Sequence, residues 1–465
     1  MTKLLIHKPA LFFHALILSL SVAWSGYAVA ETLSFVQCVN MALQQNPDLI
    51  GSQALVSQAA AGLRQARGNR VPTLTASEDV VGTNDALTAF GLKLSERQAT
   101  FNNFGAGQFT GPSALGIAPA NLNNPGFVHN FDTRLEILAP VYTGGMIEGG
   151  IKQARANVEA AQQGNISARQ HVIFQVLQAY EGVHAARAFV GVTQQAETAA
   201  RSLLAMMNNM LKNGTVVKSD LLLAQVRLQD VRVQRLQAQD ALDGALEQLH
   251  ILLGVPFDHP LDVGEWAEIK PVSAPIQTLR QTALENNPGI LALRKQTQAE
   301  AAKVDMARAA WQPQVGLMLR QDWNDAQMGL GASSYTIGGS VSWVAFDGGV
   351  THAKVDQAQA SKNETQARLT QAEAGLAYQV DEAVRKANEA EKQLAEREAA
   401  LSQIEEAVSL VNKRYANGLT TITEQLDAQA QLDKARADVV SARYALVVQR
   451  ANLKLALGQL DPNAL

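Results

Sequence analysis

This chain of 465 residues has few of the residues that stabilise small compact folds. Its single cysteine, Cys38, excludes a disulfide within the chain, and we interpret it as a small buried residue. Aromatic residues make up only 5% of the sequence. Proline is absent from residues 141–255 and again from 314–461. These two long stretches therefore lack the residue that most strongly interrupts a helix.

Signatures of catalysis and metal binding are also missing. Beyond residue 30 the six histidines are scattered, and no H-E-x-x-H pair, C-x-x-C motif or phosphate-binding glycine loop occurs. We therefore predict that the protein is not an enzyme and uses no metal or other cofactor. The net charge is −4, or −6 without the two lysines of residues 1–30. Such a mild charge argues against nucleic acid as a partner.

Residues 1–30 have the features of a secretory signal peptide. Lys3 and Lys8 form a basic start, residues 10–22 are apolar, and Ala28-Val29-Ala30 matches a small-residue cleavage site. A transmembrane anchor is the alternative, but the apolar run is short and ends in small residues. Residue 31 is Glu, so no lipid-attachment cysteine follows the predicted cleavage site. Beyond it, no apolar run reaches the about 18 residues that a membrane-spanning helix needs.

The rest of the chain is a tandem duplication. Residues 42–47 return as residues 283–288, at an offset of 241. The offset then becomes 204, and the change of 37 places an insertion in the first copy between Pro72 and Tyr142. Two equivalent units predict a quasi-symmetric molecule. The matches at the second offset fall mostly on turn residues: Gly144-Gly145 with Gly348-Gly349, Asn213-Gly214 with Asn417-Gly418, and Leu253-Gly254 with Leu457-Gly458.

Each copy is predicted to contain one very long helix and shorter helices beside it. The long helix of the first copy, 145–212, would span about 100 Å and ends at an Asn-Gly helix stop. Moderate helices at about 33–69 and 216–253 would stack end to end beside it and form a rod. The second copy shows a coiled-coil seam, broken only by Arg397, with rows at Val380, Ala387, Leu394, Leu401, Val408 and Tyr415 and at Ala383, Ala390, Ile404 and Val411.

Short segments with a period of two predict β-strands with one apolar face. The alternation covers residues 131–139, 314–320 and 334–345, and Trp311 and Trp343 lie at the ends nearest the helices. A membrane sheet with one lipid face and a soluble sheet with one face on a core both fit this pattern. In lipid the sheet would have to close, because open edges leave backbone groups unpaired. Four strands per chain would then require a shared barrel of eight, twelve or sixteen strands.

Several motifs resemble the TolC-like outer-membrane efflux protein family. They are the duplicated Asn-Pro helix start, the junctions Tyr142-Thr143-Gly144-Gly145 and Phe346-Asp347-Gly348-Gly349, and the helix turns at residues 213–222 and 415–428. The resemblance covers nearly the whole chain after residue 30. It implies a mainly α fold with membrane β-strands, in which a homotrimer forms a twelve-strand β-barrel in outer-membrane lipid and a twelve-helix tunnel in the periplasm.

The resemblance also implies a domain layout. The first repeat covers residues 31–254, with a β-hairpin at about 73–142 and an insertion at about 93–130 that faces the cell exterior. A Pro-rich linker, 255–275, contributes to an equatorial belt, and the second repeat covers 276–465 with a hairpin at about 313–346. The helix turns Asn213-Gly214 and Asn417-Gly418 would dock a periplasmic membrane-fusion adaptor, which connects to an inner-membrane pump of RND, ABC or MFS type.

Residues of the periplasmic gate transfer from the family motif one at a time. Asp220 matches a gate tether, Tyr415 a member of the same network, and Glu424 and Asp427 lumen-facing acids. Thr420 occupies the position of the basic partner, which Lys218 or Arg414 would have to replace. Thr421 and Glu424 also have the spacing of a capping box, so Glu424 has a purely structural interpretation too.

Two classes of function remain open at this point. The first is a passive export channel, either the exit duct of a tripartite efflux pump or the outer-membrane duct of a type I protein secretion system. The second is a non-conducting periplasmic coiled-coil adaptor. An adaptor would have one helical hairpin between Gly-rich β-domains, whereas this chain has two hairpins and amphipathic strands. The sequence therefore favours the channel, without identifying its substrate.

Overall fold

The computed structural model describes residues 31–462, so the predicted signal peptide lies outside the described residues. The helices are α1 (Phe35–Gln45), α2 (Pro47–Gly68), α3 (Ala86–Ser95), α4 (Ala120–Asn123), α5 (Met146–Lys212), α6 (Lys218–Leu253), α7 (Ile276–Asn286), α8 (Pro288–Ala309), α9 (Val350–Ala416) and α10 (Ile422–Ala456). The strands are β1 (Glu31–Leu33), β2 (Thr73–Thr83), β3 (Val128–Tyr142), β4 (Leu261–Val263), β5 (Gln314–Asp325) and β6 (Ala332–Ser342).

The two repeats have the same order of helices, strand pair, long helix and closing helix. Helices α5 and α9 contain 67 residues each, which corresponds to about 100 Å. The moderate helix predicted at 33–69 is instead two helices that meet at Asn46-Pro47. Pro47 cannot donate a backbone hydrogen bond, and the Asn46 side chain accepts one from Asp48 N at 2.9 Å, which starts a new helix.

The long helices organise the packing. Helix α5 contacts α1 and α2 along one part of its length and α6 along another, while α9 contacts α7, α8 and α10. The shorter helices of each repeat therefore lie along the long one, as the equal lengths predict. Helix α8 also packs against α5 and so joins the two repeats. Within residues 31–462 no helix is both long and apolar enough to cross a membrane.

The seam predicted along α9 lies against its neighbours. Val380, Ala383, Ala387, Ala390 and Val408 are buried, and α9 packs along much of α10. Arg397, the break in the seam, forms an ion pair of 3.1 Å with Asp438 of α10. The break is thus an exposed link between the two helices of the coil, and the apolar rows continue on both sides of it.

Strands β2, β3, β5 and β6 form one antiparallel sheet in that order. The register places Leu74, Ile137, Leu319 and Ile337 in one row on one face, and Thr75, Glu136, Arg320 and Thr336 in the next row on the other face. The four apolar side chains of the first row are exposed. Strands β2 and β6 each have one edge without a partner among the described residues.

The segment between β2 and β3 is longer than the insertion proposed at 93–130. Strand β2 ends at Thr83, and α3 starts at Ala86 after Asp85, whose side chain accepts from Thr88 N at 2.9 Å. Several apolar side chains of this segment are exposed, including Phe101 at 86% and Leu87 at 83%. Arg97 connects the segment between β2 and β3 to the second hairpin, because its guanidinium donates to the Ser333 carbonyl at 2.5 Å.

The linker between the repeats folds back onto the first repeat. Its strand β4 pairs in parallel with β1, and Gly264 N donates to the Leu33 carbonyl at 2.9 Å. This small sheet covers the largest buried cluster, which contains Cys38, Val176 and Tyr180. Cys38 is fully buried, as predicted, and its burial raises the pKa of the thiol to about 12.

Candidate functional site at the helix tips

Both long helices end in the same turn. Gly214 and Gly418 have φ of 71° and 73°, a left-handed conformation that glycine adopts without strain. In the first turn Gly214 N donates to Leu211 O and Thr215 N to Met210 O, at 3.0 and 2.9 Å. These two bonds close a Schellman motif, and the second turn repeats them. The predicted docking residues Asn213 and Asn417 are exposed at the two tips.

Tyr415 connects the two helical hairpins near the tips. It is 4% exposed and packs with Leu203, Met207 and Ala224 of the first repeat. Its hydroxyl lies 3.3 Å from the Met207 sulfur. Burial raises the pKa of Tyr415, and the nearby Asp220 carboxylate raises it further. Asp220 is therefore close to Tyr415, but the hydroxyl bonds to Met207, so a tether through Asp220 stays a prediction.

Glu424 forms contacts beyond helix capping. Its backbone N–H donates to Thr421 Oγ1 at 3.2 Å, which is the first half of a capping box. Its carboxylate does not complete the box; it accepts from Arg414 Nη1 at 3.3 Å and from the Thr420 hydroxyl. Arg414, one of the two alternatives that the sequence left open for the basic partner, pairs here with Glu424, and its part in the network of Asp220 and Tyr415 stays a prediction. Both side chains of this ion pair are about half exposed.

Asp427 lies one turn further along α10. Its side chain is exposed, and in the described part of the chain it has no hydrogen bond or ion pair. Among residues 31–462, the side chain of Asp220, at the start of α6, accepts only from the neighbouring Ser219 hydroxyl at 3.3 Å. The tips therefore present acids that are not neutralised by a close cation. Their role at a gate remains a prediction, because it depends on the assembly.

The strand-to-helix junctions are built from glycine pairs. Gly144 and Gly145 have φ of 65° and 93°, and Gly348 and Gly349 have φ of 66° and 91°. A Cβ at Gly144 would lie 2.5 Å from the Ala309 carbonyl oxygen at the end of α8. The same atom at Gly348 would meet nothing within 4 Å. The two junctions have the same backbone conformation, but only Gly144 is packed against another segment of the same chain.

The linker covers buried polar groups that the sequence did not reveal. Glu181 of α5 is fully buried, accepts from Ala267 N at 2.7 Å, and has a second oxygen without a partner in the described structure. Burial raises its pKa to about 7. His184 stacks on Trp266 at 4.9 Å, and Arg443 lies over the same ring at 4.8 Å. The spacing of apolar residues along α5 does not predict that an acid is buried at position 181.

Residues 31–462 contain no group of three or more His, Cys, Asp or Glu side chains that would hold a metal ion.

A duplicated helical hairpin rod that carries one amphipathic sheet is the architecture of outer-membrane efflux channels. The family model for outer membrane efflux protein matches residues 38–255 and 279–459, so the chain belongs to this family.

Curated relatives and solved structures agree with this assignment. The chain is 23% identical over 302 residues to the alkaline protease secretion protein AprF of Pseudomonas aeruginosa and 23% identical over 309 residues to the outer membrane protein TolC of Escherichia coli. Each match covers 63% of this chain, and it covers 63% of AprF and 62% of TolC.

Two solved structures show that the fold is shared over almost the whole chain. The CmeC outer membrane channel of Campylobacter jejuni matches 92% of this chain and 86% of its own, with a TM-score of 0.76 and 17% identity. The match to CusC covers 97% of this chain and 98% of CusC, with a TM-score of 0.77 and 18% identity. The predicted fold class, mainly helical with a duplicated arrangement and a small set of strands, is confirmed.

Proposed function

We propose that this protein is the outer-membrane exit duct of a tripartite efflux pump, which conducts small molecules passively to the cell exterior. The observation that carries the proposal is the four-stranded sheet with an exposed apolar face, a polar face and two free edges. Such a sheet is stable in lipid only when its edges pair with other copies. The helices, about 100 Å long, would continue the conduit into the periplasm.

The packing within one chain supports a closed ring of copies. Helix α8 packs on α5 and buries Ile290, Ala299 and Ala302, whereas the equivalent helix α2 leaves Ile50 and Leu55 exposed. The unpacked junction at Gly348 lies on the equivalent face of the second repeat. In a ring, α2 of one copy would cover α9 of the next, and β2 would pair with β6. Three copies, as in the family that the sequence resembles, would supply twelve strands.

Helix α6 supports the same interpretation. Leu222, Val226, Val233 and Leu236 lie on one side of it with heptad spacing, and each is about half exposed or more. A stripe of this kind on a helix that already packs on α5 needs a second neighbour. We propose that this neighbour is a helix of an adjacent copy in the tunnel wall.

The acids near the tips would form the periplasmic gate. Three copies of Asp427 and Glu424 would line a narrow, water-filled constriction and favour cations over anions. Asp220 and Tyr415 would hold the coils closed from the side. Opening would separate the two hairpins at the cluster around Tyr415, since this cluster joins them near the tips.

The partners proposed for the duct are a periplasmic adaptor at the helix turns and an inner-membrane pump beyond it. A type I protein secretion duct is the second candidate, because the relative AprF is named for alkaline protease secretion. A non-conducting adaptor fits less well, since it would have no use for the exposed apolar face of the sheet.

Planar-bilayer recording of the detergent-extracted protein, after its mass has been measured under native conditions, tests the proposal. We expect a trimer that forms cation-selective pores of low conductance while closed. The double variant Glu424→Ala, Asp427→Ala should keep the trimer and weaken both the selectivity and the block by multivalent cations. A monomer, or a trimer that never conducts, would overturn the proposal.

Topology gives an independent check. A protease site placed near Gly105, in the segment between β2 and β3, should be cut in intact cells, because the opposite ends of these strands lead into the periplasmic helices. Cleavage that requires a permeabilised outer membrane would contradict this orientation.

A further inference from the structure

The polar face of the sheet carries a band of charged side chains. The register aligns Asp79 with Asp132, Arg134 with Asp322, and Glu136 with Arg320, in three successive rows. Since side chains alternate between faces, all six point to the same side, opposite to Leu135 and Ile137. Strand β6 contributes only the uncharged Ser334 and Thr336 to two of these rows. The charges therefore form a compact band across β2, β3 and β5.

Arg134 is the centre of this band. Its guanidinium donates to Asp322 at 2.8 Å through Nε, to Asp79 at 3.4 Å through Nη1, and to Asp132 through Nη2. Asp322, which is 5% exposed, also accepts from Arg320 Nε at 2.9 Å. Charge-assisted bonds of this kind fix the positions of the carboxylates on the strands.

The band is not electrically neutral. Four carboxylates face two guanidiniums, which leaves a net charge of −2 per chain and −6 for three copies. Glu136 has no ion pair in the described structure, and the Asp79 side chain is 55% exposed. One oxygen of Asp132 and the side-chain oxygen of Asn130, which is 2% exposed, have no hydrogen-bond partner. Acceptor groups are thus in excess on this face.

We propose that this band is a second charge filter of the conduit, located in the membrane-embedded part and separate from the acids at the helix tips. The inference rests on the proposed function, because the polar face becomes a lumen only when the sheet closes. Within a closed ring of strands, the fixed negative charge would raise the local concentration of cations and lower that of anions. Asp79 and Glu136 would determine the preference, while Arg134 would position the carboxylates.

The width of the pore separates this filter from the gate. A twelve-strand ring is wider than a closed helical constriction, so its charges act across water rather than at contact. Their influence extends over the Debye length, about 10 Å at 0.1 M salt and about 3 Å at 1 M. The preference that arises from the band should therefore disappear in concentrated salt, whereas a narrow gate loses less of its preference.

The test uses the full-length channel with its tip acids removed, Glu424→Ala and Asp427→Ala, recorded in planar bilayers. In this background we expect a residual preference for potassium over chloride at about 0.1 M salt that vanishes at about 1 M. Adding Asp79→Asn and Glu136→Gln should lower the permeability ratio roughly twofold toward unity at low salt. Adding Asp325→Asn instead, which removes one negative charge from the opposite face, should leave the ratio unchanged.

A second variant guards against loss of folding. Ser334 of β6 lies in the row of Arg134 and on the same polar face of the sheet. Ser334→Lys therefore adds a positive charge to this face without removing any existing ion pair. It should move the ratio in the same direction as the loss of Asp79 and Glu136. Channels whose ratio responds to none of these changes, or responds equally to Asp325→Asn, would overturn the inference while leaving the duct intact. A protein that forms no pore in any background would instead overturn the proposed function.

Discussion

At the junctions, the tips and the ends of the closing helices, the two repeats have nearly the same backbone and different side chains. The glycines of the junctions, the tips and the closing helices have φ values that agree within 2° between repeats: 65° and 66° at the first junction glycine, 71° and 73° at the tip, and 70° and 70° after the closing helix. Differences in side chains between the repeats therefore act on a common scaffold and do not reflect different folds.

The two tips differ in the number of side-chain contacts that hold each of them in place. The second tip has Thr421 as an N-cap, the Arg414–Glu424 ion pair, and Tyr415 anchored in the first repeat. The first tip has Val217 at the cap position, which offers no side-chain bond, and Leu211 where the second has Tyr415. The tip of the second repeat is thus anchored by Tyr415, and the first repeat provides the surface on which it is anchored.

The largest effect should come from removing this anchor. Tyr415→Ala empties a buried aromatic site and should destabilise the tip region by about 3–5 kcal/mol, while Leu211→Ala, at the equivalent and half-buried position, should cost less. Because the coils would separate, Tyr415→Ala should also raise single-channel conductance. Equal conductance in the two variants would show that Tyr415 does not hold the tips closed.

Glu181 distinguishes the middle of α5 from the middle of α9, where the exposed Arg385 is equivalent. Its pKa is raised from 4.5 to about 7, so its protonated form stabilises the fold below about pH 4.5, and this contribution is lost as the pH rises through 7. Stability should fall by up to roughly 3 kcal/mol per chain over this window.

Thermal unfolding in detergent between pH 5 and 8 measures this effect. Glu181→Gln should flatten the pH dependence, and Arg385→Gln should keep it. A wild-type protein whose unfolding temperature is constant across this window would contradict a buried, titrating Glu181.

Alanine substitutions at Gly144 and Gly348 test whether the two junctions have equivalent surroundings in the proposed ring. Alanine at either position adopts an unfavourable positive φ, at a cost of about 1–2 kcal/mol. Gly144→Ala would also collide with the Ala309 carbonyl within the chain. In the trimer that we propose, we expect Gly348→Ala to be equally costly, because α2 of the next copy would occupy the corresponding space. A clearly milder Gly348→Ala, by trimer melting temperature, would show that the ring is not quasi-symmetric.

Exchanging the caps should have the smallest effect. Val217→Thr should stabilise the first turn of α6, and Thr421→Val should destabilise that of α10, each by about 1 kcal/mol. Hydrogen exchange of the amides in these first turns reports the change locally. If Val217→Thr gave no added protection, the backbone around residue 217 would not accept the side-chain bond.

Much of this architecture could be predicted from the sequence because it is periodic or repeated. The long helices end at Asn-Gly, and strands β5 and β6 alternate clearly. Strand β2 was harder to define, because Glu78 and Asp79 place a charge on each face and break the alternation. The sequence contains the Asn46-Pro47 helix start, but the apolar pattern continues through it and favours one helix at 33–69 over the two that form.

At the helix tips, the sequence predicts gate roles for Asp220, Tyr415, Glu424 and Asp427, but it does not predict the contacts that these side chains form. Met207 as the partner of Tyr415 depends on how two coils distant in sequence pack together. The Arg414–Glu424 ion pair follows from the turn geometry, which places Arg414 opposite Glu424. Glu181 and the band around Arg134 are tertiary features, since neither a period nor a motif marks an acid as buried or a charge as paired.

Helices α5 and α9 have the same length, 67 residues each, and this equality places the tips of the two hairpins at the same distance from the sheet. Both start at a Gly-Gly junction on the same sheet and both end at a tip, so the tips end at the same level only while the residue counts match. A heptad removed from one long helix and its companion would withdraw that tip by about 10 Å and leave the other projecting. The reach of the rod can therefore change only when both repeats change together, by whole heptads.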